Sequence, residues 1–133
     1  MTIDEGPQWL TVEDVTMLHA RQLFEHGGLE GVRDENALRS AVDRPRNLHA
    51  YSDPKPTLAE LAASLAFGLA RNHPFNDGNK RTAVAGCEFF LMLNGRSLTA
   101  GNDELYPVFY NLAAGTVGED ELSAFLAANT EAA

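Results

Sequence analysis

The chain has 133 residues, 44% of them hydrophobic, enough for one domain built around one core. A formal net charge of −9 argues against a broad surface for nucleic acid or anionic membrane, and a lone cysteine excludes an internal disulfide. No apolar run is long enough to cross a bilayer, and the start MTIDEGPQWL is acidic where a secretory signal would be basic; the sequence therefore reads as a cytoplasmic protein with no membrane partner and no direct nucleic-acid partner.

In chain order, Thr11 with Asp14 three residues on forms a capping-box pattern before VEDVTMLHARQLFEH. Val12, Val15, Leu18 and Leu23 fall on roughly one face of that first helix, which stops at Gly27-Gly28. Asp34 caps a second helix, ENALRSAVD, expected to end before Pro45. The stretch RPRNLHAYSDPKP carries three prolines and little periodicity, so it reads as a loop or short hairpin.

Thr57 with Glu60 opens the next helix, which runs to about Asn72. Leu58, Leu61, Ala62, Leu65 and Leu69 follow helical spacing, and the other faces are small and apolar, which predicts a central, buried helix. A further apolar helix runs from near Asn79 to Leu93, with Gly95 as a stop signal. Within it, Gly86 implies a closely approaching neighbour, and Cys87 reads as a small core residue. DELYPVFYNLAAG and EDELSAFLAAN give two shorter helices, with Pro107 placed in the opening turn of the first. No repeat or linker interrupts the chain. The expected fold is all-α, a single-domain helical bundle over residues 1–133 with a buried central helix.

The two most apolar helices are joined by RNHPFNDGNKRTA, residues 71–83, which is crowded with polar groups. Pro74 turns His73 away from helical geometry, and Phe75 anchors the loop to the core. Asp77 reads as the N-cap of the following helix, with Gly78, Asn79 and Lys80 supplying backbone N–H groups. Cations at a helix start oppose its dipole, so Lys80 and Arg81 there point to an anionic ligand, and phosphate is the anion such a site suits. The charge distribution agrees. Residues 33–81 hold eight basic and six acidic side chains, a balance of +2, whereas the rest of the chain carries −11.

Taken singly, Asp77 could be only a cap and His73 only a structural histidine. Together the residues supply the three parts a phosphoryl or nucleotidyl transfer needs: a base in His73, a carboxylate for Mg²⁺ in Asp77, and donors for phosphate in Asn79, Lys80 and Arg81. Zinc is a poor competitor, since His19, His26 and His49 show no paired ligand spacing and Cys87 stands alone.

HPFNDGNKRTA resembles the core motif of the Fic/Doc (Fido) superfamily, and Lys80 resembles the death-on-curing (Doc) branch, because typical Fic proteins have Gly there. GLEGVRDENALRSAVDRP, the buried helix before the motif and the apolar helix ending FFLMLNG extend the resemblance. It implies an all-helical Fido fold with the motif at the start of a central helix. For the Doc branch it implies a toxin of a type II toxin–antitoxin pair, a protein kinase that moves the γ-phosphate of ATP, with Mg²⁺, to a hydroxyl of elongation factor Tu and so arrests translation. Carried over, His73 is the base, Asp77 the Mg²⁺ ligand, and Gly78, Asn79, Lys80 and Arg81 the nucleotide-binding turn, with Lys80 and Arg81 also catalytic. Residues 44–56 correspond to the flap that aligns the target. The self-inhibitory pattern [S/T]-x-x-x-E-[G/N] of many Fic proteins is absent, which implies a brake supplied in trans by a cognate antitoxin. Two readings stay open beside this one: Fic-type transfer of AMP, and a catalytically inactive binding protein.

Overall fold

Helix starts are written in their caps. The Thr11 hydroxyl accepts the Asp14 N–H at 3.1 Å while the Asp14 carboxylate accepts the Thr11 N–H at 2.9 Å, opening α1 (Val12–His26). Thr57 and Glu60 repeat the arrangement at 3.1 and 2.7 Å for α3 (Leu58–Asn72). Asp34 accepts the Ala37 N–H at 3.0 Å to start α2 (Glu35–Tyr51). The structure, a computed structural model, describes residues 6–133. The acidic residues 1–5, part of the stretch whose charge argued against a secretory signal, lie outside the described residues.

Three further helices follow, α4 (Asn79–Leu93), α5 (Asn102–Ala114) and α6 (Glu119–Ala128), so the all-α expectation holds. A small antiparallel pair, β1 (Arg96–Leu98) with β2 (Thr130–Ala132), sets Ser97 opposite Glu131. Three-residue strands carry no usable alternation, which is why the sequence did not announce them. They tie the chain end to the end of α4, helped by the Ala133 N–H on the Gly95 carbonyl at 2.9 Å.

Helix α3 lies at the centre, packed by α2, α4, α5 and α6, and ten of its fifteen residues are buried. Its small residues make this possible. A Cβ on Gly68 would fall 2.9 Å from both the Cα and the Cβ of Ala41 in α2, and one on Gly86 of α4 would fall 3.3 Å from Leu69 of α3. Phe75, Phe90 and Phe109, each buried, fill the space among the small side chains. No described helix is long and apolar enough to cross a membrane.

Two local expectations are corrected. Helix α2 does not end before Pro45 but continues to Tyr51, so the flap expected at 44–56 is helix over most of its length, and only 52–57 is irregular. Interior proline costs a helix about 3 kcal/mol. Contacts on both sides of the proline hold this one. Arg44 donates to Glu119 at 3.1 and 3.3 Å and to the Ser64 carbonyl at 2.9 Å while lying over Phe67, and His49 meets the Trp9 ring edge-on at 5.5 Å. Similarly, α5 begins at Asn102, which puts Pro107 in its second turn rather than its first.

Candidate active site

The connection between α3 and α4 is built from a reversal and a clamp. His73 ends α3 in the left-handed region, φ 49° and ψ 57°, a conformation costly for a residue with a Cβ. Leaving the right-handed helix there was expected from Pro74; the left-handed turn was not. Arg33 holds it, donating from Nε to the His73 carbonyl at 2.7 Å and from its terminal nitrogen to the Asn72 carbonyl at 3.0 Å. The N–H groups of Arg33 and Asp34 both reach the Pro74 carbonyl, at 2.8 and 3.1 Å. Asn76 completes the clamp with an N–H on the Gly31 carbonyl at 3.1 Å and a side-chain amide on the Glu30 carbonyl at 2.9 Å.

Beneath the loop, Phe75 is buried as expected and stacks on the buried ring of His19, centroids 3.7 Å apart and planes within 6°. His19 Nε2 lies 2.8 Å from the Asp77 carbonyl, which can only accept, so Nε2 carries the proton. Asn79 is equally committed. Its carbonyl accepts the Phe75 N–H at 3.0 Å and its amide donates to the Phe75 carbonyl at 2.9 Å, so the side chain locks the loop and only the backbone N–H of Asn79 is left to face a ligand.

Asp77 is not the N-cap. Gly78 takes that position with φ 74°, and no side chain caps α4. One Asp77 carboxylate oxygen accepts the Gly78 N–H at 2.9 Å and the other the Leu29 N–H at 3.2 Å, turning the group toward residues 28–29 instead of onto the helix start. A Cβ on Gly28 would sit 2.9 Å from the Asp77 carboxylate, so that close approach needs glycine. In consequence the first N–H of α4 to find a carbonyl is that of Thr82, on Gly78 at 2.9 Å; those of Asn79, Lys80 and Arg81 have no acceptor among the described residues.

These open donors face a cavity of about 430 Å³ lined by Asp77, Gly78, Asn79, Lys80, Arg81, Tyr106, Pro107 and Tyr110. The first five residues are the expected binding turn. Three aromatic or ring-bearing residues from α5 form the far wall and were not anticipated; the signal available was the i, i+4 pair of tyrosines either side of a proline. His73 does not line this cavity. It stands exposed at the loop's edge, its imidazole without a hydrogen-bond partner among the described residues.

Asp77 is the one carboxylate in the lining, and no group of three or more His, Cys, Asp or Glu side chains among the described residues is arranged to hold a metal. An exposed carboxylate whose oxygens each accept one N–H keeps lone pairs to spare. That suits Mg²⁺, which binds through one or two carboxylates and completes its shell with water and phosphate oxygens, and does not suit a protein-only zinc or calcium cage.

A helical domain whose buried central helix delivers a polar loop to an open helix N-terminus is therefore the class defined by fold and site. The Fic/DOC family model matches residues 9–91, and the chain belongs to that family. Among its relatives, Toxin Doc of Mycolicibacterium smegmatis is 47% identical over 77 residues, covering 58% of this chain and 59% of that protein. Protein kinase doc of Escherichia phage P1 is 34% identical over 86 residues, 65% of this chain and 68% of that protein. The resemblance to the Doc branch drawn from HPFNDGNKRTA is thus borne out by relatives that carry the Doc name.

Proposed function

We propose that the protein is a Doc-type toxin that transfers the γ-phosphate of ATP to a hydroxyl of a translation factor, elongation factor Tu, and is held in check by an antitoxin in trans. The observation that carries the reading is the open start of α4, where three N–H groups without an acceptor among the described residues, Lys80, Arg81 and Asp77 surround one cavity. The names of the two relatives, a toxin and a protein kinase, support it.

In this reading the phosphates lie against the N–H groups of Asn79, Lys80 and Arg81, where the positive end of the helix dipole favours them. Lys80 and Arg81 neutralise charge on the transferring group. Bound at Asp77, Mg²⁺ supplies charge neutralisation for the phosphate oxygens. His73 accepts the proton of the target hydroxyl as its oxygen bonds to the γ-phosphorus; the bond from that phosphorus to the bridging oxygen breaks, and ADP leaves with the electron pair. The exposure of His73 outside the nucleotide cavity is consistent with meeting a protein substrate from solvent rather than the nucleotide itself. Committing the Asn79 side chain to Phe75 keeps the turn rigid.

The test is to incubate purified protein with elongation factor Tu and ATP labelled at the γ- or the α-phosphate, then weigh the intact target. Addition of a single phosphate from γ-labelled ATP is expected. Addition of AMP would replace the reading with adenylylation, and no addition to this or any other host protein would favour a binding role.

A further inference from the structure

Lysine at the second position of a helix is poorly placed. Its ammonium meets the positive end of the dipole, and its four-carbon stem leaves the charge free to wander. A carboxylate partner would be the ordinary remedy, yet the ion pairs among the described residues are Arg21–Glu25, His26–Glu25 and Arg44–Glu119, and Lys80 belongs to none of them. Its partner is neutral instead. Lys80 Nζ lies over the Tyr110 ring, 5.6 Å from the centroid, and both residues line the cavity at the start of α4. Tyr110 is 62% exposed, far more than its burial in a core role would allow, so packing does not account for it.

We propose that Tyr110 is a positioning residue, a π-face tether that holds the Lys80 ammonium over the α4 N-terminus without neutralising it. The inference rests on the reading of this cavity as a phosphate site and adds the device that aims its cation. A carboxylate in place of Tyr110 would hold Lys80 equally well but would cancel its charge and repel phosphate. The ring quadrupole attracts the cation without accepting its charge, and of the three N–H donors of the ammonium those not turned to the ring stay available to a ligand. Tyr110 also restricts the lysine stem before ligand arrives, so less side-chain entropy is lost on binding.

Calorimetric titration of wild type, Tyr110→Phe, Tyr110→Leu, Lys80→Ala and the Lys80→Ala/Tyr110→Leu double variant with ATP, tripolyphosphate and adenosine tests this. Tyr110→Phe keeps the ring and should match wild type. Tyr110→Leu should lose about 2- to 5-fold in affinity for ATP and tripolyphosphate, the span of an exposed cation–π contact, and nothing for adenosine. In the Lys80→Ala background the same change should have no further effect. In parallel, the upfield ring-current shift of the Lys80 ε-methylene protons should be present in wild type and Tyr110→Phe and gone in Tyr110→Leu. Equal losses for adenosine and ATP would overturn the inference and make Tyr110 a base platform; wild-type affinity in Tyr110→Leu, or full additivity with Lys80→Ala, would overturn it while leaving the nucleotide site standing. A wild-type protein that binds neither ATP nor tripolyphosphate would overturn the site reading, and the tether's purpose with it.

Discussion

The loop 73–79 and the helices it joins are held by different forces. Helices α3 and α4 are fixed by small buried side chains, with Gly68 against Ala41 and Gly86 against Leu69, and among their buried residues only Ser64 and Thr82 are polar. The loop buries Pro74 and Phe75, and is otherwise held by hydrogen bonds from Arg33, Asn79 and His19 to its backbone and by Asn76, whose amide donates outward to the Glu30 carbonyl. The difference separates two kinds of polar residue in one short motif. Those whose side chains are spent on backbone make the loop rigid, whereas Lys80, Arg81 and His73 keep exposed side chains, and Asp77 stands between, exposed and with lone pairs to spare after accepting two backbone N–H groups.

Breaking the second group should cost activity and spare the fold. His73→Ala is expected to show the largest effect, a loss of about 10²- to 10⁴-fold in transfer rate, as for removal of a general base. Its thermal midpoint should stay at the wild-type value, because the exposed imidazole has no hydrogen-bond partner among the described residues to lose. Undiminished growth arrest at equal expression would remove His73 from the chemistry.

Breaking the first group should do the reverse. Asn79→Ala frees both backbone groups of the buried Phe75, and leaving such groups unpaired costs about 1–3 kcal/mol. Denaturant unfolding should show that loss. An unchanged midpoint with lost nucleotide affinity would move Asn79 into the ligand-binding group and blur the division drawn here.

Asp77→Asn sharpens the comparison, because it keeps an oxygen acceptor for one of the two N–H groups while removing the charge. Affinity for Mg²⁺-ATP should fall about tenfold, equivalent to about 1.4 kcal/mol, with a small change in stability. A collapse in stability at unchanged affinity would make the carboxylate a loop fastener like Asn79. The smallest effect belongs to Cys87. Burial pushes its thiol well above the ordinary range, with the Glu88 charge adding to the shift, so the group stays protonated at neutral pH. Thiol alkylation of native protein should be negligible and should become complete only on unfolding.

Much of this was legible in the residues. Capping boxes at Thr11 and Thr57 placed α1 and α3, and the apolar run stopped by Gly95 placed α4, each within a residue or so, and the motif located the open start of α4. The course of α2 was not legible, because a proline in the interior of a helix is sustained by the contacts of Arg44 and His49 with residues distant in sequence. Nor was the division of labour within the motif. Sequence reads Asp77 as the cap of α4 and Asn79 as a phosphate donor, and only the backbone path reveals that Asp77 turns to Leu29 and Asn79 turns back to Phe75. His19, 58 residues before Asp77, carried no local signal at all.

The central claim is that the unpaired N–H groups at the start of α4 receive phosphate. Amide-resolved NMR titration with ATP and Mg²⁺ tests it most directly. The account expects large shift changes at Asn79, Lys80 and Arg81, with the amides of Arg33, Asp34 and Asn76, already bonded within the clamp, nearly still. Saturating ATP that leaves the three helix-start amides unmoved, or moves the clamp amides as much, would contradict it.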